Sequence, residues 1–94
     1  MTKPKIDVDF NELIDDNQIL LSQTDFRRDI EGNDIFLNEG LEIDIFEIDY
    51  DENNKRDDII ASGFVTQCKD PHYKDVVKWC CKIDSNGVRH TSDL

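Results

Sequence analysis

Basic residues are scarce in this chain: its 94 residues include eleven lysines and arginines against 22 aspartates and glutamates, a formal charge of −11. The shortage is concentrated in residues 1–60, where eighteen acids face six bases (−12), while residues 61–94 carry four acids and five bases (+1). A surface of that sign repels phosphate backbones and anionic lipid, so direct binding of nucleic acid or of a membrane surface is not expected. Apolar residues are also few, 37% against 35% charged. A chain of this size buries only about two-thirds of its unfolded surface, which leaves room for one thin core and none for a separate lid domain over a deep cleft.

Long apolar runs are missing as well. Nothing approaches the roughly 18 residues of a membrane span, and Met1–Asp7 turns acidic where the apolar centre of a signal sequence would lie, so a cytoplasmic location is expected. Three cysteines, with Cys80 and Cys81 adjacent, do not make a secreted disulfide framework and are read as reduced thiols. No C-x-x-C knuckle accompanies Cys68, Cys80, Cys81, His72 and His90, and neighbouring cysteines in a strand point to opposite faces, so no zinc site is expected. Asp49, Asp51 and Asn53 have the spacing of the first ligands of a calcium loop, yet Asn54 stands at the glycine position and Ile60 at that of the bidentate glutamate. The acidic pairs Asp15-Asp16 and Asp57-Asp58 have no apolar pocket to split their pKa values. There is no glycine-rich phosphate loop. Neither a catalytic group nor a metal nor a cofactor is expected.

What is present is a β pattern. Residues 1–5 read as a frayed terminus and 6–34 as a short helix with loops: Asp9-Phe10-Asn11-Glu12 has the form of a capping box, predicting a helix near residues 10–16. Ile19-Leu20-Leu21 is too short for periodicity to decide between strand and helix end. Glu31-Gly32-Asn33-Asp34 and Asn38-Glu39-Gly40 are turn signals. Leu41, Ile43 and Ile45 then alternate with Glu42 and Asp44, and at Phe46 the apolar phase moves to Phe46, Ile48 and Tyr50, a slip that predicts a β-bulge or a sharp coil of the strand. Ile59–Cys68 resumes after a polar loop, with Gly63 permitting a bend or a close backbone approach. In Val76–Asp84, Val77, Trp79, Cys81 and Ile83 share one face, with Trp79 a core anchor. Lys78, Cys80 and Lys82 share the other, where two ammonium groups favour the thiolate of an exposed Cys80, making it the candidate reactive thiol ahead of Cys81. Ser85-Asn86-Gly87 predicts a tight hairpin into Val88-Arg89-His90.

The order over residues 35–94, a long bent strand, a polar loop, two meander strands and a short closing strand, resembles the SH3-like small barrels at fold level. The expected fold is therefore mainly β, one domain over residues 1–94, either a small barrel of that kind or a strongly bent antiparallel sheet. The resemblance implies no ligand motif, because Tyr50, Tyr73 and Trp79 supply an aromatic cage or a proline groove only in part.

The functional expectation is a small non-enzymatic interaction module, such as an inhibitor, immunity or adaptor factor, that binds a protein with a basic surface through Glu42, Asp44, Glu47, Asp49, Asp51 and Glu52. Two other classes stay open. Strand carboxylates recur at about 6.5–7 Å, near the phosphate spacing of a nucleic acid, which allows a mimic that blocks a nucleic-acid-binding protein. A small-ligand or enzyme pocket near His72, Tyr73, Trp79, Cys80 and His90 is the third. The less acidic 61–94 half is the expected surface of a weak homodimer.

Overall fold

The computed structural model describes residues 3–14, 17–69, 72–73 and 75–93; the Asp15-Asp16 pair lies outside the described residues. Alternation of apolar and polar residues produces eight strands: β1 (Lys5–Asp7), β2 (Gln18–Ser22), β3 (Phe26–Arg28), β4 (Asp34–Phe36), β5 (Glu42–Glu47), β6 (Ile59–Gln67), β7 (Trp79–Ile83) and β8 (Arg89–His90). Six of them form one sheet in the order β1-β5-β6-β7-β2, with β8 added to β6, and β3 and β4 form a separate hairpin. All pairings in the main sheet are antiparallel except β1 with β5. The sheet curls into a half-barrel around Ile6, Ile19, Leu21, Leu37, Ile43, Ile45, Ala61, Val65, Trp79, Cys81 and Ile83.

Gly63 permits the curl. It pairs with Ile43 on one side and Ile83 on the other, on the core face, and a Cβ built there would stand 2.0 Å from the Lys82 carbonyl oxygen. The backbone of β7 therefore leans over β6 at a point where no side chain can intervene. The opposite rim is open, because β1 and β2 are the two ends of the strand order. Arg27 spans that gap, its Nη1 donating to the carbonyl of Leu21 in β2 and its Nη2 to that of Asp7 in β1 at 2.6 Å. The hairpin that carries Arg27 is tied to the same rim by the Ile30 amide, which donates to the Lys5 carbonyl at 2.9 Å.

The alternation in β7 is as expected on its inner face: Val77, just before the strand, and Trp79, Cys81 and Ile83 within it are buried. Trp79 also donates its indole N–H to Asp25 Oδ1 at 3.1 Å, and Lys78 Nζ reaches the same oxygen at 2.6 Å, which together hold the Asp25 carboxyl below its ordinary value.

Several sequence expectations are corrected. Of the predicted helix at 10–16, the described residues 10–14 hold only a 3-10 turn over Phe10–Glu12. Asp9 does cap it, accepting from the Asn11 amide at 2.9 Å, but the Phe10 amide goes to Glu47 Oε1 at 2.8 Å and Leu13 is already extended, bridging to Ile19. One turn cannot repay helix nucleation when each end has a sheet partner. The stretch 6–34, read as helix and loops, instead supplies β2, β3 and most of β1. The phase slip after Phe46 is not a bulge: β5 and β6 keep one register from Glu42–Phe64 to Glu47–Ile59, and Phe46 is buried on the outer face, where the Lys5 ammonium sits 5.3 Å above its ring centroid. The bulge lies in β2, between Leu20 and Ser22.

Ser85-Asn86-Gly87 does not reverse the chain. The strand β8 continues along β6 in the same direction as β7, so the turn is a looped-out insertion, held by the Asn86 amide on Asp84 Oδ1 at 3.0 Å and by Gly87 at φ 69°. One consequence touches self-association: β7 is paired along both edges, as is β6 between β5 and β7 or β8, so an edge contact in the 61–94 half falls to β8.

Gly63→Ala should destabilise the domain by at least about 1–3 kcal/mol, the usual cost of forcing atoms into a filled space, because the obstacle is backbone and cannot swing away. Urea unfolding followed by Trp79 fluorescence checks this, and an unchanged midpoint would show that the strands do not approach so closely.

Candidate protein-interaction site

Between Glu47 and Asp58 six carboxylates stand against Lys55 and Arg56. Strong like-charge repulsion would splay such a loop unless its backbone donors were turned onto the carboxylates, and that is what the chain does. Tyr50 bridges to Arg56, the Asp51 amide donates to the Lys55 carbonyl at 2.8 Å, and Asp51 Oδ1 accepts from the amides of Asn53 (2.8 Å) and Lys55 (3.0 Å). Asn54 takes the left-handed position, φ 61°, which asparagine tolerates better than most residues.

The base of this hairpin is bolted to the C-terminal segment. Asp58 takes Arg56 in a two-pronged ion pair at 2.9 and 3.1 Å, which holds its carboxyl below the ordinary value, and its carbonyl accepts from the Thr91 amide at 3.0 Å. Asp57 accepts from the Ser92 amide (2.9 Å), the Ser92 hydroxyl (2.8 Å) and the Thr91 hydroxyl (2.9 Å), which lower its pKa as well. His90 Nε2 lies 3.4 Å from Asp49 Oδ2. The Asp57-Asp58 pair thus has a fastening role.

The six proposed contact acids do not share one face. Glu42 and Asp44 point outward from β5, with Asp44 accepting from the Ser62 hydroxyl at 2.5 Å. Glu47 projects to the other side and caps Phe10. The run of strand carboxylates required for nucleic-acid mimicry therefore ends after two residues, interrupted by the buried Phe46. Asp49, Asp51 and Glu52 belong to the hairpin, and Glu52 is exposed with no bonded partner among the described residues. The sequence reading missed the apolar component beside them: Ile48 and Tyr50 are 52% and 59% exposed. The shifted phase after Phe46 is the signal that marks both, because the strand ends at Glu47 and leaves them uncovered.

Cys80 is not an exposed thiol. It is completely buried, as is Cys81, since the register sets it on the outer face between Leu20 of β2 and Thr66 of β6. Alternation locates it correctly opposite Cys81, but strand neighbours cover it. Burial, reinforced by the negative charge of Asp84, pushes the Cys81 thiol up to about 12. His90 stands apart from Cys80. His90 lies opposite Ile59 and Cys80 opposite Thr66, positions seven residues or about 23 Å apart along β6. Among the described residues no three His, Cys, Asp or Glu side chains gather where a metal ion could be held, and no helix is long and apolar enough to cross a membrane.

Comparison with family models, with curated proteins and with solved structures finds no match to this chain.

All three cysteines are buried, so a thiol reagent should modify none of them quickly in the native protein and all three once denaturant is added. Rapid stoichiometric labelling of Cys80 before unfolding would overturn the packing of β7. A second expectation concerns acid stability. Because the folded state holds Asp57 below 3.8, its contribution is complete above that value and lost as the pH falls through the lower folded pKa. The melting temperature should therefore fall more steeply below about pH 4 in the natural protein than in Asp57→Asn, and parallel curves would refute the fastening role.

Proposed function

We propose that this chain is a small, non-enzymatic protein-interaction module of the cytoplasm that binds a basic segment of another protein through the hairpin at residues 48–58, in the manner of an inhibitor, immunity or adaptor factor. The observation that carries the reading is the pairing of exposed Ile48 and Tyr50 with Asp49, Asp51 and Glu52 on a hairpin whose backbone is already fixed by its own hydrogen bonds. A fixed hairpin loses little conformational freedom on binding, which raises affinity without added contact area. Tyrosine is enriched at interface anchors, and its ring face attracts an arginine or lysine that the neighbouring carboxylates also attract. The wider excess of acid supplies steering toward a basic partner and raises the encounter rate.

The test is capture from a lysate of the source cell with natural and variant protein as bait, followed by affinity measurement on the basic protein retained. Tyr50→Ala combined with Glu52→Lys should cost about 2 kcal/mol or more, roughly thirtyfold in Kd, and added salt should weaken the natural complex. Glu31→Lys, an equal single charge change on the β3–β4 turn, should have a much smaller effect. Capture of the same partner at undiminished affinity by the Tyr50→Ala/Glu52→Lys protein would remove the hairpin from the interface.

A further inference from the structure

On the outer face of the curl, away from the core, Phe46 and Ile60 pair across β5 and β6. Nearby opens a cavity of about 230 Å³ whose lining includes Lys5, Asp44, Ile60, Ser62 and Arg89, brought together from β1, β5, β6 and β8. Its charges are not paired with one another. Asp44 is engaged by the Ser62 hydroxyl, while neither Lys5 nor Arg89 forms an ion pair with a described residue. The Nε of Arg89 is buried with no hydrogen-bond acceptor.

An arginine left in that state is anomalous in a protein with twice as many acids as bases. A desolvated N–H without an acceptor is destabilising, and groups of this kind in a folded protein call for an explanation. We propose that the cavity is a binding site for a small organic carboxylate, held by Arg89 and Lys5. The guanidinium fork matches the two oxygens of a carboxylate, and the jointed stem of Arg89 lets the fork turn to present Nε with a terminal nitrogen. Lys5, on β1 beside Asp44 and with its ammonium over the Phe46 ring, adds a second positive charge to the lining.

Charge and size narrow the ligand class. Lys5, Arg89 and Asp44 sum to +1, which a monoanion balances, whereas a phosphate dianion would sit against the Asp44 carboxylate at a net repulsive excess. Ile60 gives the cavity an apolar wall that an organic acid covers and an inorganic anion does not. The volume lies below the roughly 300–1,000 Å³ of pockets that take drug-sized molecules, so the acid has only a few heavy atoms. The site does not use the 48–58 hairpin, so its existence does not depend on the interaction proposed there.

The experiment is a titration of the ¹⁵N-labelled full chain with propionate, and separately with inorganic phosphate, at matched pH and ionic strength, read by amide chemical shifts. Propionate should give saturable shifts centred on Lys5, Ser62 and Arg89, and phosphate should not. Arg89→Gln should weaken propionate at least about tenfold, and Arg89→Lys, which keeps the charge but not the fork, should also weaken it. Should the Arg89 variants fail to give a dispersed folded spectrum, Lys5→Gln decides, with the same direction of change expected. Shifts that grow linearly without saturating, an equal response to phosphate, or unchanged propionate binding in a folded variant would each overturn the assignment.

Discussion

The close approach of Lys82 to Gly63 governs this fold. A thin core can be enclosed by one sheet only if that sheet bends back on itself, and the bend requires a residue without a side chain on the concave face, where β7 crosses nearest to β6. Once the curl exists, apolar residues of five strands converge, and β1 and β2 become the two rims of an open half-barrel. The Arg27 guanidinium then finds backbone carbonyls on both rims. A lysine there would supply a point charge, while the planar fork can address two acceptors on different strands at once.

Charge is used in two contrasting ways. In the 49–58 hairpin and at the C-terminal segment, carboxylates serve as acceptors for backbone amides and hydroxyls, so part of the acidity is structural while each group keeps its charge. Around Arg89 the situation is reversed: among the described residues neither Lys5 nor Arg89 forms an ion pair with Asp44, which lines the same cavity. The hairpin is the surface proposed for a macromolecule and the outer-face cavity the one proposed for a small anion, and the two are built from different side chains.

The 10–16 segment shows why local signals fail in a chain this short. Asp9 carries out its capping role, yet the Glu47 carboxylate and the strand edge near Ile19 compete for the following backbone groups and win, because a sheet partner satisfies donors that an isolated single turn leaves open. Ser85-Asn86-Gly87 is a similar case. Its residue types correctly mark a turn with a left-handed glycine, but the same turn serves either a hairpin or a looped-out insertion, and the pairing of β8 with β6 selects the second.

By itself the sequence determines that the chain is mainly β, that Val77, Trp79, Cys81 and Ile83 share one face of one strand, and that Gly63 marks a bend or a close approach, since a two-residue period and a missing Cβ are local properties. Only the tertiary structure decides what covers each face. Alternation assigns Cys80 to the side of Lys78 and Lys82, but its burial depends on Leu20 and Thr66 from strands remote in sequence. The same holds for the strands within residues 6–34, which are too short and polar to declare themselves until the longer strands offer an edge, and for the acids of β5. Their spacing is written in the chain, and an unbroken strand period separates Glu42 and Asp44 from Glu47, whereas their capture by Ser62 and Phe10 follows from which strands the fold brings alongside.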